Sequence, residues 1–170
     1  MHPAPLLLFD LDTELARLHP AAFGWALTCC KWDRRAAEDV LQIAYLKILD
    51  GRARFAHRSN FRTFLFSVIR RTAAEELRRQ IVRRVLSLAD IREPAVGAEG
   101  LDSILREESS RRLESALKQL SARQRQLLHL VFYQDLTIAE AAVVVGISIG
   151  SARTHYERGK EQLRRLLGEA

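Results

Sequence analysis

The sequence predicts an all-α protein: two small helical domains joined by a flexible acidic linker. Three observations predict it. Helix breakers are scarce, 8 Gly and 4 Pro in 170 residues, and none falls between Gly51 and Pro94 or between Gly100 and Gly146. Apolar residues, 48% of the chain, recur at three- and four-residue spacing along those stretches, the mark of helices with one buried face. Pro94, Gly97 and Gly100 cluster among small residues, and the charge changes sign there: net +6 over residues 1–88, −3 over 89–103 and +3 over 104–170. The first and third segments are therefore expected to be domains and the middle one a tether.

The same arithmetic excludes other classes. A barrel or sandwich needs a turn every ~8–12 residues, which so few breakers cannot supply. The net charge of +6 and the pI near 9.9 point to a polyanionic partner. The adjacent Cys29 and Cys30 have no second pair, so neither zinc-finger spacing nor a disulfide framework is present. They read as reduced helical thiols, with a vicinal thiol sensor as the alternative. The start lacks a basic region and is interrupted by Asp10, Asp12 and Glu14, unlike a secretory signal. The longest apolar run elsewhere, Ala141 to Ile147, falls far short of the ~18–20 residues that span a bilayer. A soluble, cytoplasmic protein without membrane insertion is expected.

The elements follow in order. A first helix is expected from about Thr13 to Lys31. A second starts near Asp33, carries its apolar stripe on Ala36, Ala37, Val40, Leu41, Ala44, Tyr45, Ile48 and Leu49, and stops at Gly51. Ser59 or Asn60 caps a third, whose buried stripe is Phe61, Phe64, Leu65, Val68, Ile69, Thr72, Ala73 and Leu77. Leu105 to Leu120 is amphipathic, and Ser121 caps a helix from Ala122 to about Tyr133. Thr137 caps a helix through Val145, Gly146 ends it in a left-handed turn, and Ser148 caps the last helix, from Ile149 to about Leu167. The triplet Val143-Val144-Val145 is too short to argue a strand.

Leu136 to Leu163 carries the most specific pattern. Its caps, the small Ala142 before Gly146, and Ile147, Ala152 and Tyr156 beneath have helix-turn-helix spacing. A plain helical hairpin could use the same caps. The outer face of the second helix, with Ser151, Arg153, Thr154, His155, Glu157, Arg158 and Lys160, argues for duplex DNA. Arginine pairs bidentately with guanine and glutamate accepts from cytosine N4, while Ser151, Arg158 and Lys160 suit phosphates. Earlier, six Arg against two Glu lie between Arg70 and Arg84, preceded by Phe61, Phe64 and Phe66. Arginines tracking phosphates beside aromatic rings suit single-stranded nucleic acid.

These blocks together resemble the extracytoplasmic-function (ECF, group IV) sigma factors of bacterial RNA polymerase. Ala37 to Leu49 is similar to region 2.2, Phe61 to Arg79 to regions 2.3–2.4, Leu120-Ser121-Ala122-Arg123-Gln124-Arg125-Gln126 to the opening of region 4.1, and Leu136 to Leu163 to region 4.2. The resemblance implies a sigma factor that binds core polymerase and directs promoter-specific initiation, with no catalytic residue, metal or cofactor of its own. It implies contact with the polymerase clamp through Glu38, Asp39 and Gln42, and a further contact with the flap. It implies recognition of the unpaired −10 element by Arg54, His57, Arg58, Asn60, Arg70, Arg71, Glu75, Arg78 and Arg79. The −35 duplex would be read by Ser151, Arg153, Thr154, His155, Glu157, Arg158 and Lys160. Many relatives are held inactive by an anti-sigma factor. The chain departs from the pattern at Arg71, where Asn is common, at Glu75, where Asp is common, and at His155, where a second basic residue is usual. A free-standing helix-turn-helix regulator is the alternative reading, but it leaves residues 13–84 without a role. An enzyme is disfavoured, because no His lies in pattern with a nucleophile and an acid and no Gly-rich phosphate loop exists.

Overall fold

The computed structural model describes residues 10–86 and 104–168. Seven α-helices order them: α1 (Leu11–Cys29), α2 (Arg34–Leu49), α3 (Phe61–Leu86), α4 (Ile104–Gln119), α5 (Ala122–Leu128), α6 (Ile138–Val145) and α7 (Ile149–Leu167). Among the described residues there is no strand, so the all-α expectation holds. The acidic segment 89–103 lies outside the described residues.

Local chemistry sets most boundaries. Helix α1 starts and ends two residues before the sequence expectation. It stops at Cys29 because Lys31 and Trp32 take left-handed backbone angles, φ 55° and 64°. Asp33 caps α2 by accepting from the Ala36 amide at 3.0 Å. Of the two candidate caps for α3, Asn60 does the work, its Oδ1 accepting from the Thr63 amide at 2.7 Å. Ser121 and Thr137 form capping boxes with Gln124 and Glu140, each satisfying orphan amides reciprocally. Gly146 ends α6 at φ 67°, and Ser148 caps α7. The Val143–Val145 triplet is helical.

One expected helix changes character. The segment from Ala122 to Tyr133 is α-helical only to Leu128, and His129–Tyr133 forms a π-helical turn. Such turns are rare and recur at functional positions.

Helix α1 packs against α2 and α3, and α7 packs against α4, α5 and α6. These two groups also meet, α3 against α6 and α1 against α5 and the π-turn. Buried apolar residues run continuously from Leu15, Trp25 and Phe66 to Leu127, Leu130, Val144 and Ala152. Gly159 lets α7 approach α5, since a Cβ there would lie 3.2 Å from Gln124 Cβ and 3.3 Å from Leu128 Cδ1. Trp25 is fully buried, and its Nε1–H donates to the Phe66 carbonyl at 3.0 Å.

The predicted stripe of α3 needs one correction. Phe61, Leu65, Val68, Ile69, Thr72 and Ala73 are buried and Phe64 partly so, but Leu77 is 48% exposed. Ile81, Val82 and Val85 beyond it are exposed too, because α3 outruns the helices that cover its first half. Phe66, outside the predicted stripe, is fully buried by α1. Phe66→Ala should therefore lower unfolding stability by about 3–5 kcal/mol, measured by urea denaturation. Leu77→Ala should change it far less.

Candidate nucleic-acid interface

Arg54, His57 and Arg58 sit on the loop that joins α2 to α3, and all three are exposed. Asp50 holds Arg52 at 2.6 Å, and Arg54 Nε donates to the Gly51 carbonyl at 3.3 Å. Phe55 anchors the loop's far end, with ring centroids 5.4 Å from Phe61, 5.2 Å from Phe64 and 4.3 Å from His57. This aromatic cluster replaces hydrogen-bonded secondary structure as the loop's support.

Behind the loop lies a cavity of about 410 Å³ lined by Lys47, Arg52, Arg54, Phe64, Arg71 and Glu75. Three sequence-predicted residues, Arg54, Arg71 and Glu75, thus share one hollow. Lys47 was missed by sequence reasoning. Its Nζ donates to Thr72 Oγ1 at 3.2 Å and to Glu75 Oε2 at 2.6 Å. That hydrogen bond holds the Glu75 carboxyl below its ordinary value. A lysine at the end of one helix and a glutamate in the next share no local signal that could have paired them.

The other predicted residues of this group are placed differently. Arg78 and Arg79 are exposed further along α3, with Arg79 paired to Glu76 at 2.6 Å. Asn60 and Arg70 face the second helix group. Asn60 Nδ2 donates to Glu140 Oε1 at 2.9 Å, and Arg70 Nε reaches Gln126 Oε1 at 3.5 Å. The Arg70 guanidinium also lies 3.8 Å from where a Cβ on Gly146 would sit.

On α7, Ser151, Arg153, Thr154, Glu157 and Arg158 are exposed. His155 and Lys160 are only half-exposed, and Lys160 bonds Glu157 at 2.9 Å while lying 4.8 Å from the Tyr156 ring centroid. Ala152 and Gly159 form the buried side of the same helix.

Glu38, Asp39 and Gln42 are exposed on α2, with Glu38 bound to Arg34 at 3.1 Å. Glu38 and Gln42 border a cavity of about 350 Å³ floored by Phe23, Leu41 and Tyr45. Leu46 and Leu49 extend that exposed apolar surface; Leu49, the last residue of α2, falls beyond the buried part of the expected stripe. Burial pushes both cysteine thiols up, Cys30 to about 12, which leaves them as inert packing groups. Among the described residues no group of three metal-ligating side chains stands together, and no helix is long and apolar enough to cross a membrane.

The chain is similar to known proteins over most of its length. The model for sigma-70 region 2 matches residues 15–81, and that for sigma-70 region 4 matches residues 110–163. The RNA polymerase sigma factor CarQ of Myxococcus xanthus is 35% identical over 135 residues, covering 78% of this chain and 75% of that protein. The ECF RNA polymerase sigma factor SigX of Bacillus subtilis is 30% identical over 138 residues, covering 78% and 71%. The fold matches that of the sigma factor RpoE, solved with the anti-sigma factor NepR from Bartonella quintana, at TM-score 0.77 and 24% identity over 94% of this chain and 97% of that one. It also matches CnrH, solved with the cytosolic domain of CnrY, at TM-score 0.64 and 20% identity over 93% and 87%. Two region models in the right order, and relatives of this identity matched over most of their length, establish that the chain belongs to the ECF RNA polymerase sigma factors.

Proposed function

We propose that this chain is a group IV sigma factor working in the cytoplasm as a non-catalytic initiation subunit. Residues 1–88 act as the region 2 domain, 89–103 as the tether and 104–170 as the region 4 domain. Glu38, Asp39 and Gln42 dock α2 on the polymerase clamp. The loop before α3, with α3 itself, opens and holds the −10 element, and the exposed face of α7 reads the −35 duplex.

The observation that carries this reading is the cavity beside Phe64. It offers an aromatic wall, the cations Lys47, Arg52, Arg54 and Arg71, and the Glu75 carboxylate in one concave site. An unpaired base needs a stacking surface, phosphate-neutralising cations and a polar group for its edge. The solved neighbours were bound to NepR and to CnrY. A protein partner of that kind fits the apolar cavity of about 620 Å³ between α1 and the second helix group, bounded by Leu27, Trp32, Leu117, Phe132 and Leu163. A free-standing helix-turn-helix regulator is not favoured, because the region 2 match at residues 15–81 covers the segment that it leaves unexplained.

The reading is tested by run-off transcription. Purified protein added to core polymerase should start a transcript at a discrete promoter, and failure to bind core would refute it. Arg153→Ala should weaken −35 duplex binding by about 1–3 kcal/mol and spare core association. Asp39→Ala should do the reverse, losing core association with little change in binding to isolated DNA. Lys47→Met should let the Glu75 carboxyl titrate upward toward its ordinary 4.5, followed by NMR, and should flatten base preference at one −10 position. In the parent protein the Lys47–Glu75 pair is intact above the ordinary carboxylate range and is lost as pH falls through the lowered Glu75 value.

A further inference from the structure

The two helix groups meet across a hydrogen-bonded chain in which every donor can be assigned. Arg62 Nη2, on α3, donates to Gln134 Oε1 at 2.7 Å. The Gln134 amide nitrogen therefore faces the other way, 3.0 Å from His129 Nε2 and 3.4 Å from the Ala21 carbonyl. An amide N–H pointing at Nε2 makes that nitrogen an acceptor, which puts the proton of a neutral ring on Nδ1. Nδ1–H donates to Thr28 Oγ1 at 3.0 Å, and the Thr28 hydroxyl donates to the Gly24 carbonyl at 3.1 Å. The chain runs from α3 through the π-turn to α1. The imidazole lies between Trp25 and Tyr133, at centroid distances of 5.6 and 5.5 Å.

We propose that His129 is a proton-operated clasp: neutral, it holds the two helix groups together, and protonated, it lets them part and frees Asn60 and Arg70. The freeing step rests on the reading of Asn60 and Arg70 as −10 contacts. The clasp itself does not.

The chain has no place for a second proton. Protonation at Nε2 would set two donors face to face, the new N–H and the Gln134 amide. Gln134 cannot answer by flipping, because its NH₂ would then meet the Arg62 guanidinium. The surrounding charges also oppose a cation. Arg62 on α3 stands behind Gln134, and Arg125 on α5 lines the same cavity as the ring. The other titratable groups nearby are the Tyr133 phenol on the π-turn and the buried Cys29 thiol on α1, which lies close enough to Arg125 to feel its charge. Helices α4 and α7 contribute Leu113, Leu117 and Leu163, and among the described residues no carboxylate lines the cavity.

The sign follows. Burial holds the imidazole down to about 4 in the closed form, against about 6.5 when free in water. Closure is therefore at full strength above pH 6.5. Below that, the closed-to-open ratio falls about tenfold per pH unit, by roughly 30-fold at pH 5 and roughly 160-fold at pH 4. Glu140, which accepts from Asn60 across the same interface, is held below its ordinary value by the Thr137 amide and is the competing explanation for any acid response.

The test uses the full chain in small-angle X-ray scattering, with circular dichroism to show that helices persist. The wild type should be compact at pH 7.5 and expand by pH 5. His129→Gln keeps an acceptor and a donor but takes up no proton, and should stay compact at pH 5. His129→Lys should be expanded already at pH 7.5 and bind a single-stranded oligonucleotide about tenfold more tightly. An unchanged wild type, or an acid expansion of His129→Gln equal to that of the wild type, overturns the clasp. So does abolition of the expansion by Glu140→Gln. Expansion of His129→Lys without tighter oligonucleotide binding upholds the clasp and overturns the role given to Asn60 and Arg70.

Discussion

The structure depends on how one tryptophan is buried. Trp25 is the largest fully buried side chain described, and its indole N–H is satisfied by a backbone carbonyl, that of Phe66. A buried donor left unpaired would cost about 1–3 kcal/mol, so this bond fixes the rotation of α1 against α3 as well as satisfying the ring. With that rotation fixed, Phe66 turns inward beside Trp25 while Phe61 and Phe64 turn toward Phe55. The same α1–α3 pairing thus builds the core on one side and supports the α2–α3 loop on the other. Trp25 also packs against His129, with ring centroids 5.6 Å apart.

The π-turn completes that junction. An i→i+5 turn carries one more residue than an α-turn would, and here the turn and its C-cap bring His129 and Gln134 to bear on α1 together, with Tyr133 stacked on the imidazole. Gln134 is 5% exposed, yet its side-chain amide is fully used, by Arg62, His129 and Ala21. A buried polar network of this kind holds one arrangement well and neighbouring arrangements badly. That discrimination is what a contact between two separable helix groups requires.

What was legible in the sequence divides by range. Asp33, Ser121, Thr137, Gly146 and Ser148 announce helix ends because each acts on amides or backbone angles within four residues. The exposed basic face of α7 was legible for the same reason, since Ala152 and Tyr156 mark its inward side by spacing alone, although Gly159, buried beside them, gave no such signal. Lys47 and the Arg62–Gln134–His129 chain were not legible. Their partners lie 28 and 72 residues away, and nothing near any of them selects that partner over another. Leu77 misled for a related reason: periodicity shows which face of a helix is apolar, but the length of neighbouring helices decides how far along it that face is covered. Asn60 shows both ranges at once, its Oδ1 capping α3 as the sequence suggests and its Nδ2 crossing 80 residues to Glu140.

The departures from the family pattern then take on a physical meaning. Glu75 stands where Asp is common, and its extra methylene extends the carboxylate toward α2, where Lys47 holds it at 2.6 Å. Lys47 is itself anchored on Thr72, which is fully buried, so the pair is tethered at its base while Glu75 remains 44% exposed at the cavity. Arg71, where Asn is common, adds a cation to the same wall. A short uncharged amide has been exchanged for a long permanent charge, and a short acid for one that is locked to a lysine. The hollow accordingly carries more charge than the common residues would give it. The proposed −10 recognition there therefore leans on phosphate neutralisation and on one oriented carboxylate, rather than on a small amide fitted closely to a base edge.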